Sequence, residues 1–248
     1  MPYFFIPPGQ IQGDYAYLTG EDARHAVKVL RIKAGQKLTL QDEQDFRYDC
    51  QVLAVRKELL HLKILSKRYV KSVPPVEVTL VQGVAKGDKM DFIVQKATEL
   101  GVARVIPVET QRTVVVFDER KKKERCERWQ KIAYEAAKQA GVSRVPEIMP
   151  VIDLKALPQF IADMLLLVPY EEEDKTSLKE VLKAKAVSRV AVVIGPEGGF
   201  APEEVLFLKS FGAISVSLGP RILRTETAAL TTLSLVLYQW GDLGGDFE

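Results

Sequence analysis

Two short stretches concentrate the residues able to do chemistry. The first, IGPEGGF (194–200), places Glu197 in a glycine-rich turn after Ala191 to Ile194, an apolar run that reads as a buried strand. The second, LGPRILRTETAAL (218–230), repeats the order of strand, Gly219-Pro220, irregular stretch and helix. A phosphate loop would add a Lys-Ser/Thr ending, and a dinucleotide loop the spacing G-x-G-x-x-G; the first stretch has neither. Glu197 would repel a phosphate in a narrow, poorly screened cleft. The expected ligand is therefore neutral or locally positive, with hydroxyl or amino groups for a carboxylate; a tight turn without ligand is the alternative. In the second stretch Thr225 is placed to cap the helix, and Glu226 in the first turn suits its dipole.

Elements able to position these loops follow from periodicity. Short β-type segments fill 36–42, 46–55 and 59–70, with one helix at 21–31, as in a small barrel or sandwich. KSVPP (71–75) suits an extended linker. Beyond it, VEVTLVQGV reads as a strand. Met90, Ile93, Val94, Ala97 and Leu100 then recur at helical spacing, with Gly101 as the stop. VARVIPVE, MLLLVPY, RVAVVIG and AISVSLG read as buried strands, and ERKKKERCERWQKIAYEAAKQAG as a long helix. Strand and helix in turn imply a mostly parallel α/β sheet, which binds ligands at the C-terminal ends of its strands. The two Gly-Pro loops are expected side by side at that edge.

Composition narrows the function. With 248 residues, 47% hydrophobic, the chain can build one large domain or two smaller ones. A net charge of +2 means that nucleic-acid binding must come from local patches. Cys50 and Cys126 lack metal spacing, so neither a metal site nor a disulfide framework is expected. MPYFFIPPGQ has no basic region before a long apolar core, and no apolar run approaches about 18 residues. A cytoplasmic protein without membrane attachment is the expectation. DERKKKER (118–125) reads first as a solvated helix face and second as an RNA-facing patch; EEED (171–174) reads as a surface loop. His25 and His61 have no partner pattern and read as structural or surface residues.

Taken with HAVKVLR (25–31), KGDKMDFIVQKATELGV (86–102), W-QKIAYEAAKQ (129–139) and VPEI (145–148), the two loops give a chain that resembles the RsmE family of ribosomal RNA methyltransferases, within the SPOUT superfamily. The motifs run in the family's order over nearly the whole chain. The resemblance implies a small PUA-like β-barrel domain over 1–72 that binds RNA. It also implies a SPOUT-type α/β domain over 76–248 with a deep trefoil knot. The implied cofactor is S-adenosylmethionine, whose sulfonium and hydroxyl groups match the ligand expected above. The implied cofactor residues are Leu167, Val168, Pro169, Ile194, Gly195, Pro196, Glu197, Gly198, Gly199, Leu218, Gly219, Pro220, Ile222, Leu223, Arg224 and Thr225. The implied substrate is a uridine of 16S ribosomal RNA in the assembled small subunit, methylated at N3. Two departures bear on RNA contact: the first arginine is Arg24, and Val142 stands where many members carry arginine, with Arg144 two residues on.

Methylation at N3 requires loss of a weakly acidic proton or stabilisation of the resulting anion. Arg221 and Arg224 are the candidates for stabilising charge on the uracil oxygens. Glu226 is a candidate base, with helix-dipole matching as its alternative role. Arg24, Lys28 and Arg31, expected on one helix face, and Lys86, Lys89, Arg112 and Arg144 are the candidate RNA contacts. The last helix carries one stripe of Leu230, Leu233 and Leu237, with Ala229, Val236 and Trp240 off it; a helix apolar on two sides predicts a homodimer. Ribose 2′-O methylation and non-catalytic RNA binding are the competing readings.

Overall fold

The computed structural model describes residues 1–70, 74–115, 117–142, 144–184 and 186–245. The chain folds into two units, one of Met1–Val73 with Ala137–Arg144 and one of Pro74–Ala136 with Val145–Glu248.

The first unit contains β1 (Tyr3–Phe5), β2 (Ile11–Gln12), β3 (Tyr15–Thr19), α1 (Gly20–Lys28), β4 (Lys37–Gln41), β5 (Phe46–Arg56) and β6 (Leu59–Tyr69). They form one sheet in the order β1-β4-β5-β6-β3-β2, antiparallel except where β1 runs parallel to β4. Strand alternation sends Ala16, Leu18, Leu38, Leu40, Leu60 and Leu62 to one face, where Ala23 and Ala26 of α1 pack on them. Helix α1 stops at Lys28, three residues before the expected end. Arg31 adopts φ 53 and the N–H of buried Ile32 turns back to the carbonyl of Ala26. Burying Ile32 thus ends the helix, and Arg31 does not share a helical face with Arg24 and Lys28.

The second unit contains β7 (Glu77–Gly83), α2 (Lys89–Leu100), β8 (Arg104–Glu109), α3 (Glu119–Ala140), β9 (Glu147–Ile148), β10 (Ile152–Asp153), β11 (Leu165–Pro169), α4 (Leu178–Ala184), β12 (Arg189–Ile194), α5 (Pro202–Ser210), β13 (Ile214–Val216) and α6 (Thr225–Trp240). The last turn of α3 belongs to the first unit. The sheet order is β10-β8-β7-β12-β11-β13, with β9 also on β8, and every pairing is parallel. Both faces are covered, which is why the strands read as unbroken apolar runs. Val78, Leu80, Val192 and Ile194 face α2, α4, α6 and Trp129 of α3; Val81, Ala191, Val193 and Val168 face α5 and a 3-10 segment, Leu154–Phe160. Asp91 of α2 fixes α3 by accepting from Trp129 Nε1 at 3.1 Å and from Arg128 Nε at 2.9 Å. Gly101 closes α2 with φ 94, as its position predicts. Among the described residues no helix is long and apolar enough to cross a membrane.

Candidate active site

The parallel sheet carries β7, β12, β11 and β13 to one edge, and the expected cofactor residues lie there. Ile194 ends β12 beside Gln82 of β7; Leu167, Val168 and Pro169 end β11, with Pro169 beside Val216 of β13. Ile194, Leu167 and Val168 are buried, and Leu218 is half-buried.

The loop after β12 is locked by its surroundings. The Gly199 N–H donates to the Pro196 carbonyl at 2.9 Å, and Gly199 has φ +66. A Cβ on Gly199 would lie 2.6 Å from Glu171 Oε1, and one on Gly83 only 2.5 Å from the Pro196 nitrogen. Neither glycine can take a side chain without displacing the loop or its neighbour. The Gly198 carbonyl accepts from Arg112 Nη1 at 2.9 Å. At the far end, buried Glu204 accepts from the N–H groups of Ala201 and Gln111, each at 2.8 Å.

Glu197 is paired within the chain. Its Oε1 accepts from the Lys86 N–H at 3.0 Å and lies 3.0 Å from Lys89 Nζ. Burial opposes its charge, but backbone N–H donors and Lys89 outweigh burial and hold its carboxyl below the usual carboxylate range. The carboxylate in the turn thus binds the start of α2 to the loop. This pairing is not legible in the sequence, because Lys86 and Lys89 stand over a hundred positions from Glu197. Lys89 also lies 3.8 Å from Glu226 Oε2, a buried atom with no hydrogen-bond partner. Glu226 therefore faces Lys89 across the loop.

The second loop is attached at one point. Thr225 does not cap α6; Arg224 occupies the cap position without a side-chain hydrogen bond. Instead, Thr225 Oγ1 donates to the Gly195 carbonyl at 2.6 Å and accepts from Gln82 Nε2 at 2.9 Å. This relay ties β7, the glycine loop and α6 together. Gln82 escaped the sequence reading, although a glutamine closing the buried run VTLV was its signal. Among the described residues the main-chain groups of Pro220 to Leu223 have no hydrogen-bond partner within the chain. Gly219 has φ +106 with open space around it, and Ile222 is 90% exposed. Arg221 and Arg224 are exposed and, among the described residues, unpaired.

The loop after β11 keeps EEED at the surface, as expected, with Glu173 half-buried. Glu173 accepts from Ser215 Oγ and from the N–H groups of Lys175 and Thr176, with Lys209 at 3.8 Å. The Ser215 bond, followed by the Lys175 N–H, lowers its pKa. Glu173 so pins β11 to β13, while Glu171 abuts Gly199.

Of the candidate RNA contacts, Lys86, Lys89 and Arg112 meet at the glycine loop. Arg24, Lys28, Arg31 and Arg144 belong to the other unit, where Arg24 pairs with Glu58 at 3.0 Å and Arg144 with Asp45 at 3.6 Å. In DERKKKER, Lys121 pairs with Asp118, Arg120 with Glu124, and Lys122 with Glu109 and Glu119, which supports a solvated face.

A family model described as an RNA methyltransferase domain matches residues 72–237, and one described as an RNA methyltransferase PUA domain matches residues 18–65. A Bacillus subtilis protein named ribosomal RNA small subunit methyltransferase E is 37% identical over 237 residues, 92% of each chain. The chain belongs to this methyltransferase family. Its structural relatives include ribosomal RNA small subunit methyltransferase E of Neisseria gonorrhoeae, solved with S-adenosyl methionine (TM-score 0.87, 30% identity, 98% of this chain and 99% of that one). A Legionella pneumophila structure with the bound cofactor SAM has TM-score 0.88 and 32% identity, covering 98% of this chain and 99% of that one. Membership gives the locked and loose loops one setting, the methyltransferase domain, and the six-stranded sheet another, the PUA domain.

Proposed function

We propose that the chain methylates N3 of a uridine in 16S ribosomal RNA of the assembled small subunit, with S-adenosylmethionine as methyl donor. The observation that carries this reading is the pairing of two loops at one sheet edge: one locked, the other with free main-chain groups and two unpaired arginines. The relatives solved with the cofactor support the choice of donor.

The residues present fit the cofactor. Leu218, half-buried where the loose loop leaves the sheet, supplies an apolar wall for a purine ring, and Leu167, Val168 and Ile194 hold the strand ends beneath it. The main-chain groups of Pro220 to Leu223, free among the described residues, suit its amino and hydroxyl groups, and Gly219, with open space around it, lets a ligand approach the backbone closely. Bound there, S-adenosylmethionine supplies a methyl group activated by a sulfonium.

The rest of the mechanism belongs to the chain. Arg221 and Arg224, free of carboxylate partners, stabilise negative charge on the uracil oxygens as N3 loses its proton. Glu226 is the proton acceptor within this reading, held by Lys89 3.8 Å from its buried Oε2. Lys86 and Arg112 flank the loop and contact the RNA backbone, while Lys28, Arg31, Arg24 and Arg144 do so from the PUA domain.

Three structural readings accompany the proposal. The segment 217–224 is taken to pass through a trefoil knot; in support, it leaves β13 at the sheet edge and returns to Gly195 and Gln82 beside β7. A homodimer is supported by Leu235 and Tyr238, exposed on α6 opposite its buried Ala229, Leu233 and Val236. The domain limits are taken as 1–72 and 76–248, and the location as the cytoplasm.

The test is incubation of small subunits with labelled S-adenosylmethionine, then digestion and mass spectrometry. A methyl group on a uracil that arrests reverse transcription is expected. An alkali-resistant linkage would assign the reaction to the ribose instead, and absence of any methyl group would leave an RNA-binding protein.

A further inference from the structure

The outward face of the first sheet carries an aromatic cluster that the cofactor site does not use. His61 on β6 stands opposite Tyr17 on β3, and their rings stack with 4.9 Å between centroids and 2° between planes. Tyr15, two residues along β3, lies 5.3 Å from His61 at 37° and is 41% exposed. Nε2 of His61 is buried and has no hydrogen-bond partner among the described residues, so ring stacking is what holds this imidazole. On its other side His61 faces exposed Ala54 of β5, which is too small to cover it.

The cross-strand row through Tyr15 carries charge of one sign, with the nearest carboxylate of that face, Asp49, engaged by Thr39, Ser66 and Arg68. Directly opposed residues share a face, which builds a cross-strand row of Gln12, Tyr15, Lys63, Gln51 and Lys37. The row contains two exposed lysines and no carboxylate. Five strands at a spacing of about 4.8 Å spread it over roughly 19 Å. Aromatic faces beside spaced cations are what an unpaired nucleic-acid strand requires: bases stack without sequence preference, and phosphates meet the ammonium groups.

We infer that Tyr15, Tyr17 and His61, with Lys63 and Lys37, form a platform that binds an unpaired stretch of RNA by base stacking. This rests on the proposal that the substrate is ribosomal RNA and adds a docking site outside the methyltransferase domain. Tyr15 is the exposed ring on which a base stacks, and the Tyr17–His61 pair braces it.

The experiment is fluorescence anisotropy of a short 5′-labelled oligouridine RNA with the full chain. Tyr15→Ala is expected to weaken binding about tenfold, within the range of one lost stacking contact, while Tyr15→Phe retains it. Lys63→Ala is expected to reduce the salt dependence of log affinity by about one phosphate's share. Thermal melts and cofactor calorimetry on each variant should match the parent, since these side chains point to solvent. Wild-type affinity in Tyr15→Ala, or equal loss in Tyr15→Phe and Tyr15→Ala, overturns the platform. A parent chain that methylates subunits but binds no oligouridine also overturns it and leaves the methylation reading standing. A parent chain that binds oligouridine through Tyr15 but methylates no ribosomal RNA does the reverse.

Discussion

The loops after β12 and β13 begin alike, with an apolar strand and then Gly-Pro, yet their surroundings differ completely. Residues 195–201 are held by Gly83, Glu171, Arg112, Glu204, Lys86 and Lys89. The segment 218–224 is tied to that frame through the adjoining Thr225, and among the described residues the main-chain groups of Pro220 to Leu223 and both arginine side chains have no partner. A locked wall facing a loose one separates two tasks. In the proposed reaction the wall fixes where the cofactor sits, and the loose loop supplies groups for the cofactor and the reacting base.

The largest expected break in this contrast comes from Gly83→Val. Its Cβ would meet the Pro196 backbone at 2.5 Å, so the wall must move. Calorimetry should find S-adenosylmethionine binding lost in a variant that still melts cooperatively. Gly198→Val is a gentler probe, since its Cβ meets the Arg112 side chain at 3.1 Å, outside the backbone, and Gly199 carries the left-handed φ of this turn.

Next comes Arg224→Ala, on the loose side. Loss of a donor that acts as charge develops costs about 2.7–4 kcal/mol, roughly a hundred- to thousandfold in turnover, with cofactor affinity nearly unchanged. A single-turnover assay checks the split; near-normal turnover would return Arg224 to the surface.

The tether between the loops should weigh less. Thr225→Val removes the bond to the Gly195 carbonyl and one acceptor of Gln82 Nε2, which keeps the Gly83 carbonyl at 3.0 Å; at about 0.5–1.5 kcal/mol per lost bond, denaturant titration should find a loss of about 1–3 kcal/mol of stability. Were the two loops independent, Thr225→Val would not alter cofactor binding; with the tether, both stability and affinity fall.

The smallest effect is that of pH on the wall. The carboxyls of Glu197 and Glu173 both titrate below the ordinary range. Such groups contribute stability above their unfolded pKa and lose it as pH falls through the folded value. Thermal midpoints should therefore be flat near neutrality and drop below about pH 4.5. Glu197→Gln should flatten part of that drop.

The PUA domain repeats the lesson on a smaller scale. Arg24, Lys28 and Arg31 look equivalent in sequence, but Arg24 is engaged by Glu58 and Arg31 leaves the helix because Ile32 is buried. Likewise His61, which sequence left as a lone histidine, acquires Tyr17 as a stacking partner by strand register alone.

By itself the sequence determined the elements: parallel strands from unbroken apolar runs, helices from their period, and two irregular loops from Gly-Pro after a buried strand. These are local or periodic properties, so neighbours along the chain suffice to set them. The tertiary structure decided partnership: Glu197 with Lys86 and Lys89, Glu173 with Ser215, and Thr225 with Gln82 and Gly195 rather than with its own helix end. The reason is physical. A polar group takes the best partner within hydrogen-bond reach, about 3 Å in space, and in a parallel sheet that partner comes from strands and loops far away in sequence.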